Sequence, residues 1–446
     1  MSELQRNADT ITRVLRRYSV DAQIVPGECF QSSGMNVLSV LPGPSTKVSA
    51  VTRLADELDD ILTRSLGLPV AVRFETKPLR ILVPRQQPRV GDALDVIARL
   101  QKRLRNEHGL LALVGEAVGI RSAELRVADL TGSNTPHWLL AGTTGSGKTT
   151  ALVGMVASLA LLNKPQNVTI WVLDPKNELS FLRGLPSVAR IISDANKCVK
   201  ALSDAVAEMD KRSLHSIIDP SHRFVVVIDE LADLLDVAGK DAEMMLKRIL
   251  QKGRGLGIHV IAATQYPLAD NIGATAKANF SVRLAFRTSS PEASKVATGM
   301  AGSGAERLPG RGAAVKVGAS GAEFVQAFNV DKTRVAALSD ESVSQYQFQP
   351  SHAFYTGRES ILAQNTGSGT TQYQVPPVTD TMPDTSRRLA FDVYGQPTKD
   401  EARIIRAMLK GGMSKNKLIA EFLPNANRNK CFDFINAALG RQEVGV

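Results

Sequence analysis

The chain has 446 residues, 43% hydrophobic and 22% charged, enough apolar mass for a soluble globular protein with a large core, and its length favours two to four domains over one. Its 54 Lys plus Arg against 44 Asp plus Glu give a formal charge of +10, which favours a polyanionic partner. Cys29, Cys198 and Cys431 form no C-x-x-C pair, Met1 to Arg17 lacks the apolar stretch of a secretion signal, and the longest apolar run, Ala151 to Leu162, is too short for a bilayer. A cytoplasmic protein with no disulfide framework, structural zinc or integral membrane segment is expected.

Residues 1–88 read as a small α/β domain. Leu4, Ile11, Val14 and Leu15 make an amphipathic helix of Glu3 to Tyr18. Strands are expected at Ala22–Val25 and Met35–Leu41, a turn at Gly43-Pro44, a helix from Val48 to Leu66, and strands at Val70–Phe74 and Leu79–Val83. Nothing here suggests catalysis, and its charge clusters read as solvated helix faces or subunit contacts. A connecting helix over 89–109, striped by Leu94, Ile97, Leu100 and Leu104, leads to strands near Leu110–Val114 and Glu124–Asp129.

The apolar run Trp138 to Ala141 then gives way to Gly142, Thr143, Thr144, Gly145, Ser146, Gly147, Lys148 and Thr149, which fill the G-x-x-x-x-G-K-[ST] template, and Thr150 opens an apolar helix. Glycines at these positions let successive N–H groups turn inward, and the helix adds its positive end, so a polyphosphate is the natural occupant. Lys148 would reach the β- and γ-phosphates of ATP and the Thr149 hydroxyl would ligate Mg2+.

Strands and helices alternate after this loop, as a parallel sheet requires. Val168–Leu173 ends in Asp174-Pro-Lys-Asn-Glu178, Val199–Lys211 is a helix, and Arg223–Ile228 delivers Asp229-Glu230. A buried strand followed by two carboxylates matches the Walker B pattern: Asp229 steadies Mg2+ and Glu230 takes the proton of the attacking water. Gly257–Thr264 delivers Gln265, an amide able to hold that water or sense the γ-phosphate. Arg254, eleven residues upstream, is either a finger reaching a neighbouring subunit's γ-phosphate or a helix-end charge opposing the dipole; Arg283 is the other arginine considered for the finger.

Phe280–Phe286 is a further strand, Arg287 to Gly312 a long irregular stretch, and Ala313–Val317 with Phe324–Phe328 a hairpin closing the sheet. Arg287, Lys295, Arg307 and Arg311 suit phosphate-backbone contact or a solvated loop. Residues 346–395, rich in Thr, Gly and Pro, read as a flexible linker. Residues 396–446 resume as three short helices, a helix-turn-helix arrangement whose last helix begins Asn427-Arg-Asn-Lys430; it would read base edges or dock a protein.

Seven segments in order, among them Pro136–Thr150, Asp174–Ser180, Val225–Leu235, Gln251–Gln265 and Gly304–Gly312, resemble the FtsK/SpoIIIE DNA translocases. The likeness covers 110–335, and Gly43–Leu58 is similar to the segment those proteins carry ahead of the motor. It implies a RecA-like P-loop ATPase with a mostly parallel sheet over 110–345, a small α/β domain before it, and a winged-helix-like tail after it. It also implies a hexameric ring of this chain around double-stranded DNA, with ATP and Mg2+ as cofactors. Site roles carry over to Lys148, Thr149, Asp229, Glu230 and Gln265, and the trans contact to Arg254. Where many members have Asp-Ser-Arg this sequence has Ala293-Ser294-Lys295, so pore contacts do not transfer. The reading that competes with an ATP-driven DNA translocase is a secretion or conjugation coupling ATPase that moves protein or nucleoprotein; a third is a regulator that uses ATP to set its oligomeric state.

Overall fold

The computed structural model describes residues 2–67, 70–103, 109–119, 121–217, 220–265 and 279–338. The linker and the three-helix tail expected from residue 346 onward lie outside them.

The N-terminal layer runs α1 (Glu3–Arg17), β1 (Ala22–Ile24), β2 (Phe30–Gln31), β3 (Met35–Pro42), α2 (Val48–Thr52), α3 (Ala55–Leu66), β4 (Arg73–Thr76) and β5 (Leu79–Pro84). Its antiparallel sheet has the order β1-β3-β5-β4, with β2 on β3. The helix expected over 48–66 is two helices, interrupted at Arg53 and Leu54. Alternation along the strands buries both faces of this sheet. Leu38, Val40, Ile81 and Val83 pack under α1 and α3, whereas Met35, Val37 and Leu82 join Phe30 against residues of the larger sheet.

The larger part comprises α4 (Ala93–Arg103), β6 (Leu111–Val118), β7 (Ala123–Asp129), β8 (His137–Ala141), α5 (Lys148–Leu162), β9 (Val168–Leu173), β10 (Val188–Ile192), α6 (Ala195–Leu214), β11 (Arg223–Ile228), α7 (Leu231–Lys252), β12 (Ile258–Thr264), β13 (Val282–Phe286), β14 (Ala313–Gly318) and β15 (Gly321–Gln326). Its ten strands have the order β10-β9-β11-β12-β8-β13-β14-β15-β6-β7. From β10 to β13 neighbours are parallel, and from β13 to β7 antiparallel. The β14–β15 hairpin therefore sits inside the sheet, with β6 and β7 beyond it, rather than closing its edge.

The central strands read as continuous apolar runs because helices cover both faces. Trp138, Leu140, Val225, Val227 and Ile261 face α4 and α5; Leu139, Phe224, Val226, Ile228 and Val260 face α6 and α7. α5 is buried from Ala151 to Ala160, which accounts for its lack of a polar face. The stretch 287–312, expected as irregular, contains a helix at Pro291–Thr298 with Ser290 as its N-cap, the Ser290 hydroxyl accepting the Ala293 N–H, and Pro291 as its first residue.

Polar contacts clasp the N-terminal layer to the larger sheet. Glu116 accepts the Ser33 N–H at 2.7 Å and the Ser33 hydroxyl at 2.8 Å. Arg73 donates to the carbonyls of Ser303 at 2.5 Å and Gly304 at 2.9 Å, and Arg307 pairs with Asp59.

Candidate nucleotide site at the strand ends

Parallel strands carry their side chains and loops out at their carboxyl ends, where the functional residues of such sheets gather. β8 ends at Ala141, and the loop after it is held by its neighbours. Gly142 N–H donates to the Thr264 carbonyl at 3.2 Å, Thr143 N–H to the Arg287 carbonyl at 2.9 Å, and the Ser146 hydroxyl to the Thr143 carbonyl at 2.6 Å. Gly312 N–H donates to the Ser146 carbonyl at 2.9 Å, and a Cβ on Gly147, whose φ is +103°, would stand 2.4 Å from that same nitrogen. The loop thus requires glycine at 147 for its left-handed backbone and for the approach of Gly312.

The loop turns directly into α5, so Lys148 heads the helix with Thr149 and Thr150 behind it, both partly exposed. Lys148 is buried, and burial lowers its pKa from the ordinary lysine value against the opposing pull of Glu230 and Asp229. Its Nζ lies 3.5 Å from Glu230 Oε2.

Asp229 and Glu230 follow β11, two places from β8 across β12. Burial drives the Asp229 carboxyl up to about 6; Lys148 opposes the shift, while Asp174, Glu178 and Glu230 add to it. Its Oδ1 is buried without a hydrogen-bond partner among the described residues. Glu230 is sealed from solvent and accepts the Gln265 N–H through both oxygens, at 3.1 and 3.2 Å. Gln265 Oε1 accepts the Thr144 hydroxyl at 2.7 Å, so the amide after β12 bridges the phosphate loop and the carboxylate.

The residues expected to bind phosphate, Gly142 to Thr150, therefore meet Asp229, Glu230 and Gln265 on one rim. Arg254 does not. It is exposed in the turn before β12, separated from Gln265 by the whole strand, about 23 Å at 3.3 Å per residue. Arg283 is half-buried within β13, its guanidinium against Gly299. Of the basic residues expected to contact a polyanion, Arg287, Lys295, Arg307 and Arg311 are all exposed, and Arg307 is paired with Asp59.

Sequence reasoning missed Lys176 and Asp233. Lys176 Nζ lies 3.7 Å from Glu230 Oε2 and 3.2 Å from Asp233 Oδ2. The signal was present as Asp174-Pro-Lys176 at a strand end, but the role depends on β9 lying beside β11, which no local pattern encodes.

The donor set fits a nucleotide with a hard cation. A helix start and a buried lysine suit phosphate, and Asp229 Oδ1, buried without a hydrogen-bond partner among the described residues, offers an acceptor for a cation. Among the described residues no group of three or more His, Cys, Asp or Glu is placed to hold a metal unaided.

A family model described as FtsK/SpoIIIE family matches residues 95–223 and 216–269. The chain is 28% identical over 428 residues to DNA translocase FtsK of Bacillus anthracis, covering 89% of this chain and 49% of that protein. It is 33% identical over 338 residues to DNA translocase FtsK of Leptospira interrogans, covering 70% and 34%, and 30% identical over 375 residues to DNA translocase SpoIIIE of Bacillus subtilis, covering 78% and 46%. It thus spans between a third and half of the curated relatives it matches. Among solved structures, the pCW3 conjugation coupling protein TcpA, in monomer form with ATPγS, is similar at 20% identity and a TM-score of 0.49, over 76% of this chain and 99% of that one.

Proposed function

The chain belongs to the FtsK/SpoIIIE family, and on that premise we propose that it is an ATPase whose RecA-like motor drives double-stranded DNA through a hexameric ring of its own copies. The observation that carries the reading is the convergence of Lys148, Asp229, Glu230 and Gln265 at the ends of neighbouring parallel strands.

In the proposed cycle the loop Gly142 to Thr150 and the start of α5 surround the phosphates and Lys148 turns from Glu230 to the β- and γ-oxygens. The Thr149 hydroxyl and Asp229 would hold Mg2+, which supplies charge neutralisation at the phosphates. Glu230, released from Lys148 and steadied by the Gln265 N–H, accepts the proton of the attacking water. Gln265, bonded to Thr144 on one side and Glu230 on the other, relays the state of the γ-phosphate along β12. Arg254, on the opposite rim, would enter the adjacent subunit's site. Domain limits near 88, 110, 345 and 395, a tail over 396–446 that reads DNA, and a cytoplasmic location belong to the same proposal. Among the described residues no helix is long and apolar enough to cross a membrane.

A triplex-displacement assay tests it. The wild-type chain should strip a third strand from duplex DNA with ATP, and Lys148→Ala should not. A chain that hydrolyses ATP on duplex yet displaces nothing would defeat the translocase, and hydrolysis indifferent to naked duplex would point to a protein pump.

A further inference from the structure

β9 ends at Leu173, and the loop after it is pinned by its own first residue. The Asp174 carboxylate accepts the N–H of Glu178 at 3.1 Å and of Leu179 at 2.8 Å, and the Asn177 N–H donates to the Asp174 carbonyl at 3.0 Å. Asn177 takes a left-handed conformation, φ +54°, with its Oδ1 accepting the Ser193 hydroxyl. Because β9 lies beside β11, a loop folded this way carries the Lys176 ammonium to Glu230, with Asp233 of α7 as its second anchor.

Two lysines therefore share one buried carboxylate. They differ in what can draw them away. Lys148 heads the helix behind the phosphate loop, and a bound polyphosphate claims it. Lys176 belongs to another strand end and keeps Asp233 whichever way Lys148 turns. An exposed ion pair contributes little, but Glu230 is 1% exposed, and a carboxylate so buried is costly without a cation.

We propose that Lys176 is a positioning residue for hydrolysis, its ion pair holding the Glu230 carboxylate in place while Lys148 is committed to phosphate. This rests on the reading of Glu230 as the general base.

The test compares full-length wild type, Lys176→Met, Lys176→Arg, Asp233→Asn and Glu230→Gln in steady-state ATP hydrolysis with duplex DNA, alongside affinity for a slowly hydrolysed ATP analogue. Lys176→Met should lower kcat about tenfold or more, part of the about 10²- to 10⁴-fold a general base supplies. Its KM and analogue affinity should stay within about twofold of wild type, since the lysine contacts no phosphate in this scheme. Lys176→Arg should recover most of the rate, and Asp233→Asn should show a smaller loss in the same direction. A raised KM at unchanged kcat would make Lys176 a phosphate ligand and overturn the proposal, as would an unchanged kcat. Lost analogue binding in both Lys176 variants would reduce the residue to a structural prop and overturn it too. If Glu230→Gln hydrolyses as fast as wild type, the underlying reading fails instead; a slow Glu230→Gln beside a fast Lys176→Met sinks only the lysine's role.

Discussion

Lys148 Nζ faces Glu230 Oε2 across 3.5 Å, with the two side chains 5% and 1% exposed. The group expected to grip phosphate is here the counter-ion of the group expected to activate water. Glu230→Gln should keep nucleotide affinity while turnover falls about 10²- to 10⁴-fold, whereas Lys148→Ala should lose both. Calorimetric titration with an ATP analogue, beside phosphate release, separates the two; a Glu230→Gln chain that no longer binds the analogue would contradict the division of labour.

Gly147→Ala should disable the site without unfolding the chain. The added Cβ would sit 2.4 Å from Gly312 N and 2.6 Å from its Cα, on a backbone with φ +103°. A left-handed alanine alone costs about 1–2 kcal/mol, and the clash is with backbone that cannot swing aside. The expected outcome is nucleotide affinity down by more than about tenfold, the change that 1.4 kcal/mol produces, with an unaltered far-ultraviolet circular dichroism spectrum.

Acid should weaken the fold through two histidines on the rim opposite the site. His137 and His259 are buried with ring centroids 6.3 Å apart, the first accepting the Val260 N–H and the second bonded to the Pro136 carbonyl. Burial pushes His137 down to about 3, helped by His259, and His259 down to about 4. Both folded values lie below the unfolded value near 6.5, so the unfolded chain binds more protons in between. Stability is then complete above about pH 6.5 and lost as pH falls toward 4, at up to about 3 kcal/mol per pH unit for the pair. Replacing both by glutamine should flatten that slope in urea denaturation, whatever it does to stability at neutral pH.

The sites of DNA contact can be sorted by salt. Arg307 is engaged by Asp59, so Arg307→Ala should leave the slope of log K against log salt for duplex binding unchanged. Lys295 is exposed, and Lys295→Ala should reduce that slope by about 0.9 if it neutralises one phosphate. A change at Arg307 with none at Lys295 would reverse the assignment.

Legibility followed locality. Val168–Leu173 and Arg223–Ile228 end where the apolar runs end, and the phosphate loop and Asp229-Glu230 were readable because each is a strand followed at once by its chemistry. The helix Pro291–Thr298 carried its own start signal, Ser290 then Pro291, but the surrounding glycines and charges masked it. β10, Val188–Ile192, is apolar at four of its five positions, but a run so short, half-exposed at the sheet edge, does not mark a strand by itself. Strand order is not local at all: that β9 adjoins β11, or that β6 and β7 lie outside the β14–β15 hairpin, follows from packing across the whole chain. Lys176 and the Gly147–Gly312 contact were invisible for the same reason.

The family match begins at residue 95, yet the oily seam that joins Phe30, Met35, Val37 and Leu82 to Ala285, Leu308, Val315 and Phe324 runs straight across that point. A fragment started there would expose one wall of the seam to water and leave Glu116 without Ser33. Such a fragment should aggregate on expression, because the N-terminal layer is one wall of that core.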